Sequence, residues 1–264
     1  MADNGIMGLI KEVPQVLSMV YADLAQPGIQ SVGKALGTVL EFSTSFLLPL
    51  KLQNEKFKLN FEKRLNEYKQ KLEQIPDEKI QEVNPQIGTP LLEKLSYTTN
   101  DEIADLFTTL LTNASNSDAI NKAHPAFIQM IERISCDEAR IIKYLKGKKD
   151  FIPYCSLKCF AKDGKGYYYN FEKTTTLTVQ VDLIFSNNIK VYLDNLVSLG
   201  VITDMNGSFK VDENIYKSII EAHKINEFKE AWVPHLFSKV EIEKSYYQIT
   251  DFGRLFIEAC TIYK

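Results

Sequence analysis

Histidine is scarce in this chain. His124, His223 and His235 are the only three among 264 residues, and none stands with carboxylates or cysteines at ligand spacing, which argues against a zinc site. The four cysteines, Cys136, Cys155, Cys159 and Cys260, sit in a chain long enough to fold without cross-links, so reduced thiols in a cytoplasm are expected. Excess charge is also lacking: a formal −3 and a pI near 5.8 give no basic footprint for nucleic acid. Secretion is not expected, because Asn4, Lys11, Glu12 and Pro14 interrupt the apolar run that a signal would need in MADNGIMGLIKEVP. Gly33-x-x-x-Gly37 lacks the Gly-Lys-Ser/Thr ending and the preceding strand of a phosphate loop, so close helix packing is its expected use. No catalytic constellation and no cofactor are expected.

What is present is a change of grammar near the middle, and the reading is an α+β chain, mainly α: a helical domain over 1–135 and a winged-helix-like α+β domain over 136–264. A short helix is expected at Val13 to Leu24, with a break at Gln26, Pro27 and Gly28. The next helix has Ile29, Val32, Leu36 and Val39 on one face. From Leu40 to Leu50 the apolar residues stop respecting one face, and Pro49 bends or ends that helix. A long charged helix follows over about 50–75. Its seam, Phe57, Phe61, Leu65, Tyr68, Leu72 and Ile75, fits packing within the chain or a coiled-coil dimer. The pairs Lys63 with Glu67, Glu67 with Lys71 and Lys69 with Glu73 would keep its other faces wet.

Start signals then recur. Thr89-Pro90, Thr99 with Glu102, His124-Pro125 and Ser135 with Glu138 are each expected to open a helix. Beyond Gly147, FIPYCSLKCFA and YYYNF read as strands around the turn KDGKG, and VITDMNGSFKV reads as a hairpin at Asn206-Gly207. Asn187 or Asn188 would cap IKVYLDNLVSL, and KVEIEKSYYQI would lead as a strand into TDFGRLFIEAC. That order is similar to a winged helix, with Asn188, Lys190 and Tyr192 on the candidate recognition helix.

Long stretches carry a family resemblance: YADLAQPGIQSVGKALGTV, LPLKLQNEKFKLNFEKRL, IGTPLLEKLSYTTNDEIADLFTTLL, NASNSDAINKAHPAFIQMI and YYQITDFGRLFIEAC. The chain resembles the abortive infection alpha family of bacterial proteins. That resemblance implies a role in defence against phage, in which the infected cell stops growing or dies before progeny emerge. It implies no catalytic residue.

Three modes of action follow as expectations. The first is contact with a protein partner or a second copy, with Phe57, Phe61, Leu65, Tyr68 and Leu72 as the seam and a phage component as the trigger. The second is a membrane-directed toxin using the apolar segment 35–50 after triggering, although Glu41 and Pro49 interrupt a run short of the roughly twenty residues that span a bilayer. The third is DNA binding, for which Lys190 opposite Asp194 is weak equipment. His124 is the one catalytic candidate, more simply a helix-entry residue. Asp101, Glu102, Asp137 and Glu138 read as first-turn carboxylates, and Cys155 and Cys159 as small buried side chains on one strand face.

Overall fold

A computed structural model describes residues 30–44, 55–148 and 150–261. The helix expected at Val13 to Leu24, the break at Gln26 to Gly28 and the bend at Pro49 with residues 45–50 lie outside the described residues. The fold is α+β and mainly helical, with eleven helices and four strands among the described residues. It divides into two compact units, one running to Ala139 and taking in the residues from Glu258 on, the other Arg140–Ile257.

The first unit is built from α1 (Gln30–Thr44), α2 (Glu55–Leu72), α3 (Pro85–Tyr97), α4 (Asp101–Ala114), α5 (Ala126–Glu132) and the start of α6 (Cys136–Leu145). Val32, Ala35, Leu36 and Val39 of α1 are buried, and the Ala35 carbonyl accepts from Val83 N–H at 2.9 Å. The close approach is at Gly88 rather than at Gly37. A Cβ on Gly88 would lie 2.5 Å from Val39 Cγ2, whereas one on Gly37 would meet only Glu82 Oε1 at 3.8 Å. Along α2, Phe61, Leu65, Tyr68 and Leu72 are buried in a helix that packs on both α3 and α4. Arg64 reaches Asp101 and Lys71 reaches Asp105 and Thr108, so α2 and α4 run in the same direction.

Enclosure on two sides changes the expectation that the remaining faces of α2 are wet. Arg64 is 1% exposed. Its guanidinium donates to the carbonyls of Thr98 at 3.3 Å and Thr99 at 3.1 Å and to Glu67 and Asp101, both at 2.7 Å. Satisfied in this way, a buried cation fixes the loop that joins α3 to α4. Lys71 turns from Glu67 to Asp105 for the same reason.

Helix starts are set by whichever side chain can reach a free N–H. Asn84 Oδ1 accepts from Gln86 N–H at 2.9 Å, so α3 begins at Pro85 and Pro90 lies inside it, upstream of the expected start. Asn100, one residue after Thr99, accepts from Ile103 N–H at 3.1 Å and caps α4. The expected box at Ser135 forms in both directions, Ser135 N–H to Glu138 at 2.6 Å and Glu138 N–H to Ser135 Oγ at 3.3 Å.

The second unit holds β1 (Phe151–Ala161), β2 (Tyr167–Thr174), a single turn α7 (Leu177–Gln180), α8 (Ile189–Ser198), β3 (Ile202–Asp204), α9 (Asn214–Ala222), α10 (Ile225–Leu236), β4 (Phe237–Ile249) and most of α11 (Asp251–Cys260). The sheet is antiparallel in the order β2-β1-β4-β3. Its period of two sends Cys155, Leu157 and Cys159 to one side, where Tyr216 and Ile219 of α9, Ile225 of α10 and Phe237 cover them. These two helices are unassigned in the sequence reading. The hairpin expected at Asn206-Gly207 does not form. Gly207 takes the turn at φ 84°, but residues 208–212 make no strand and β3 finds its partner in β4 instead.

Two glycines in helices should respond oppositely to the same substitution. A Cβ on Gly253 would stand 1.9 Å from the Val201 carbonyl oxygen, so Gly253→Ala should cost about 3 kcal/mol through overpacking. Gly37→Ala meets only an ordinary contact with Glu82 and should gain about 0.5–1 kcal/mol from reduced freedom of the unfolded chain. Urea unfolding followed by circular dichroism reads both.

Candidate functional site

The sheet face opposite α9 and α10 carries chemistry. Pairing of Tyr154 with Ser245, Ser156 with Glu243 and Lys158 with both Glu241 and Tyr169 places all of these on one side. A break in β2 then gathers polar groups there. Leu157 pairs with Asn170 and Cys155 with Thr174, so Phe171, Glu172 and Lys173 stand together opposite Ser156. Within this bulge Phe171 and Lys173 take φ of 52° and 50°, each a cost of roughly 1–3 kcal/mol for a residue with a side chain. Local bonds hold it: Lys173 N–H donates to Ser156 Oγ at 2.9 Å, Thr174 Oγ1 to the Phe171 carbonyl at 2.8 Å, and the Phe171 ring meets Phe228 edge-on at 5.3 Å.

The bulge borders a cleft of about 670 Å³ lined by Tyr154, Ser156, Tyr169, Lys173, Glu243 and Ser245 among others. Its charges come in pairs. Lys173 Nζ lies 2.7 Å from Asp204, which also accepts from Tyr154 Oη at 2.7 Å. Lys158 Nζ lies 3.0 Å from Glu243, which accepts from Tyr169 Oη at 2.8 Å. Glu172 takes Lys190 at 2.6 Å. Burial works to raise the Glu243 carboxyl, but the Tyr169 hydroxyl and Lys158 outweigh it and hold the group below its ordinary value of 4.5. Burial pushes the Tyr154 phenol up, with Asp204 adding to the effect. Tyr247, its ring 5.0 Å from that of Tyr154, is buried with a hydroxyl that meets no partner among the described residues.

Toward the β1-β2 turn the same face becomes aromatic. Tyr167 is 53% exposed, and Lys158 Nζ stands 4.1 Å from its ring centre. Tyr169 is 38% exposed on this face, and Tyr168, 48% exposed, stands on the other face against Phe237 at 5.2 Å. Three consecutive exposed tyrosines thus occupy an edge strand. The sequence signal was the run YYYNF, legible as a strand but not as a surface, since exposure depends on what covers β2.

The residues singled out from the sequence fall elsewhere. Phe57 is half-buried and Phe61, Leu65, Tyr68 and Leu72 are buried inside the first unit; Tyr68 Oη meets Ser115 Oγ at 2.6 Å. Their burial is accounted for within the chain. His124 Nδ1 accepts from Ala126 N–H at 3.1 Å, a bond that satisfies a helix-start donor. Asn188 precedes α8 without a capping bond, Lys190 is held by Glu172, and Tyr192 is buried. Cys155 and Cys159 are buried on the core face, and burial pushes the Cys155 thiol up to about 11. Among the described residues no cluster of His, Cys, Asp and Glu could hold a metal ion.

A family model described as abortive infection alpha matches residues 54–260. Comparison with curated proteins gives no match. A solved structure, that of an uncharacterized protein from the marine bacterium Alcanivorax borkumensis SK2, is similar at 18% identity and a TM-score of 0.32, over 51% of this chain and 94% of that one.

Two substitutions probe the cleft. Tyr247→Phe removes a buried hydroxyl that meets no partner among the described residues and should leave stability unchanged or raise it by about 1 kcal/mol, read by urea unfolding. Because the folded-state pKa of Glu243 is depressed, its stabilising contribution is complete above pH 4.5 and fades as pH falls through the folded value. The stability gap between the parent and Glu243→Gln should therefore shrink on acidification below pH 4.5, read by thermal melts across that range.

Proposed function

The chain belongs to the abortive infection alpha family, and from that membership we propose that it protects bacteria from phage through contact with another protein molecule, by way of the tyrosine-bearing edge of its sheet. The observation that supports this reading is the exposure of Tyr167, Tyr168 and Tyr169 on an edge strand. Tyrosine offers large contact area at little cost in side-chain freedom and is enriched where proteins meet. The neighbouring charges are already paired, so the face suits complementary docking better than the capture of an unbalanced anion. In this reading the protein works in the bacterial cytoplasm and responds to a phage component.

Two other readings have less support. For the membrane-directed toxin, the described part of segment 35–50 is α1, whose Ala35, Leu36 and Val39 are buried. No helix among the described residues is long and apolar enough to cross a membrane. For DNA binding through α8, Lys190 is bound to Glu172 and Tyr192 is buried, which leaves little to meet phosphates.

Plaque formation on a bacterial host expressing the protein tests the leading reading. The double variant Tyr167→Ala/Tyr169→Ala should lose protection by about tenfold or more, the scale of losing interface anchors, with its circular dichroism spectrum unchanged. Full protection by this well-folded variant would remove the tyrosine edge from the mechanism.

A further inference from the structure

We propose that the molecule docked on this edge is a second copy of the chain, paired antiparallel through β2 about a two-fold axis beside Tyr168. The proposal rests on the contact reading above and names its partner. The outward bonding groups of β2 follow from the ladder with β1. Ala161 N–H donates to the Gly166 carbonyl at 3.0 Å, and bonded and non-bonded pairs alternate along an antiparallel ladder. Phe160 with Tyr167 and Lys158 with Tyr169 are therefore non-bonded pairs, so Tyr167 and Tyr169 direct their N–H and C=O groups away from the sheet.

That pattern is self-complementary. A two-fold axis normal to the sheet keeps each face on its own side, so it must pass beside a single residue. With Tyr168 on the axis, Tyr167 of each copy falls opposite Tyr169 of the other, and each such pair exchanges both backbone bonds. Tyr167 and the opposing Tyr169 then meet on one face and the two Tyr168 rings on the other, aromatic cross-strand pairs that stabilise a sheet.

Charge selects this register and this occupant. No charged residue lies between Lys165 and Glu172, so the paired segment sets no like charges together. Its flanks are opposite in sign: Lys165 of one copy comes level with Phe171 of the other, next to Glu172. Placing Tyr169 on the axis instead would set Tyr167 opposite the left-handed Phe171, and placing Tyr167 there would set Tyr169 opposite Lys165 in the turn. Edge strands that stay single are commonly protected by charge or proline; Tyr167 to Asn170 has neither. The left-handed Phe171 ends the pairing, which limits it to the short segment before the bulge.

Cross-linking at the axis tests the arrangement in the full chain carrying Cys136→Ser, since Cys136 is the part-exposed native thiol. The facing Tyr168 Cα atoms would stand about 4.5 Å apart, inside the disulfide window of about 4.4–6.8 Å. Tyr168→Cys should give a covalent dimer under mild oxidation. Tyr167→Cys alone should give none, but should cross-link when mixed with Tyr169→Cys. Light scattering should show a dimer for the parent and for Tyr169→Phe, which lacks the hydroxyl bond to Glu243, and a monomer for Tyr169→Pro, which beyond that side chain loses an outward backbone donor and keeps the β1 ladder. A monomeric parent, or equal cross-linking at 167 and 168, would overturn the proposal. If that happens while Tyr167→Ala/Tyr169→Ala still loses protection, self-pairing alone falls. Cross-linking as described with protection indifferent to these tyrosines would instead sink the contact reading and leave the dimer.

Discussion

The pairing of β1 with β4 is the constraint on which the second unit depends. It joins Phe151–Ala161 to Phe237–Ile249 across the intervening chain, and it fixes face by face what every other element meets. One side gains Cys155, Leu157 and Cys159 with Val240 and Ile242, an apolar surface that α9 and α10 cover. The other gains Tyr154, Ser156 and Lys158 with Glu243 and Ser245. A slip of one residue would exchange the two sets, burying charge and exposing the core. The register is therefore held as much by what the wrong register would bury as by its own bonds.

On that ladder the bulge in β2 sets the chemistry of the open face. Two left-handed residues with side chains are a local cost, and they are held by Ser156, Thr174 and Phe228. The bend presents Glu172 and Lys173 to Lys190 and Asp204, so these charges are balanced within the chain. Aromatic exposure remains at the end of β2 near the turn. The bulge thus has two effects at once: it neutralises the cleft, and it ends the straight part of the edge strand.

In the helical unit the corresponding constraint is enclosure of α2. An exposed helix would leave Arg64 and Lys71 in water, where their ion pairs are worth little. Between α3 and α4 the same side chains bind loop carbonyls and threonine hydroxyls, and Arg64 ties down the α3-α4 connection. The apolar seam and the buried cation belong to one packing arrangement, which consumes the surface that a coiled-coil partner would have needed.

Much of this was legible in the residues. The heptad steps of α2, the capping box at Ser135 and Glu138, the turn after Ala161 and the alternation VEIEK each follow from local geometry, because a helix or strand repeats at a fixed period and its ends need a donor or acceptor nearby. Membership of the family was legible as well, in long matching words. Tertiary structure alone decided the rest: that β3 pairs with β4 and not with the chain after Gly207, that Arg64 is interior, and that three tyrosines stand in the open. Those outcomes depend on which surfaces meet across dozens of intervening residues, and one chain's local pattern carries no record of that distance.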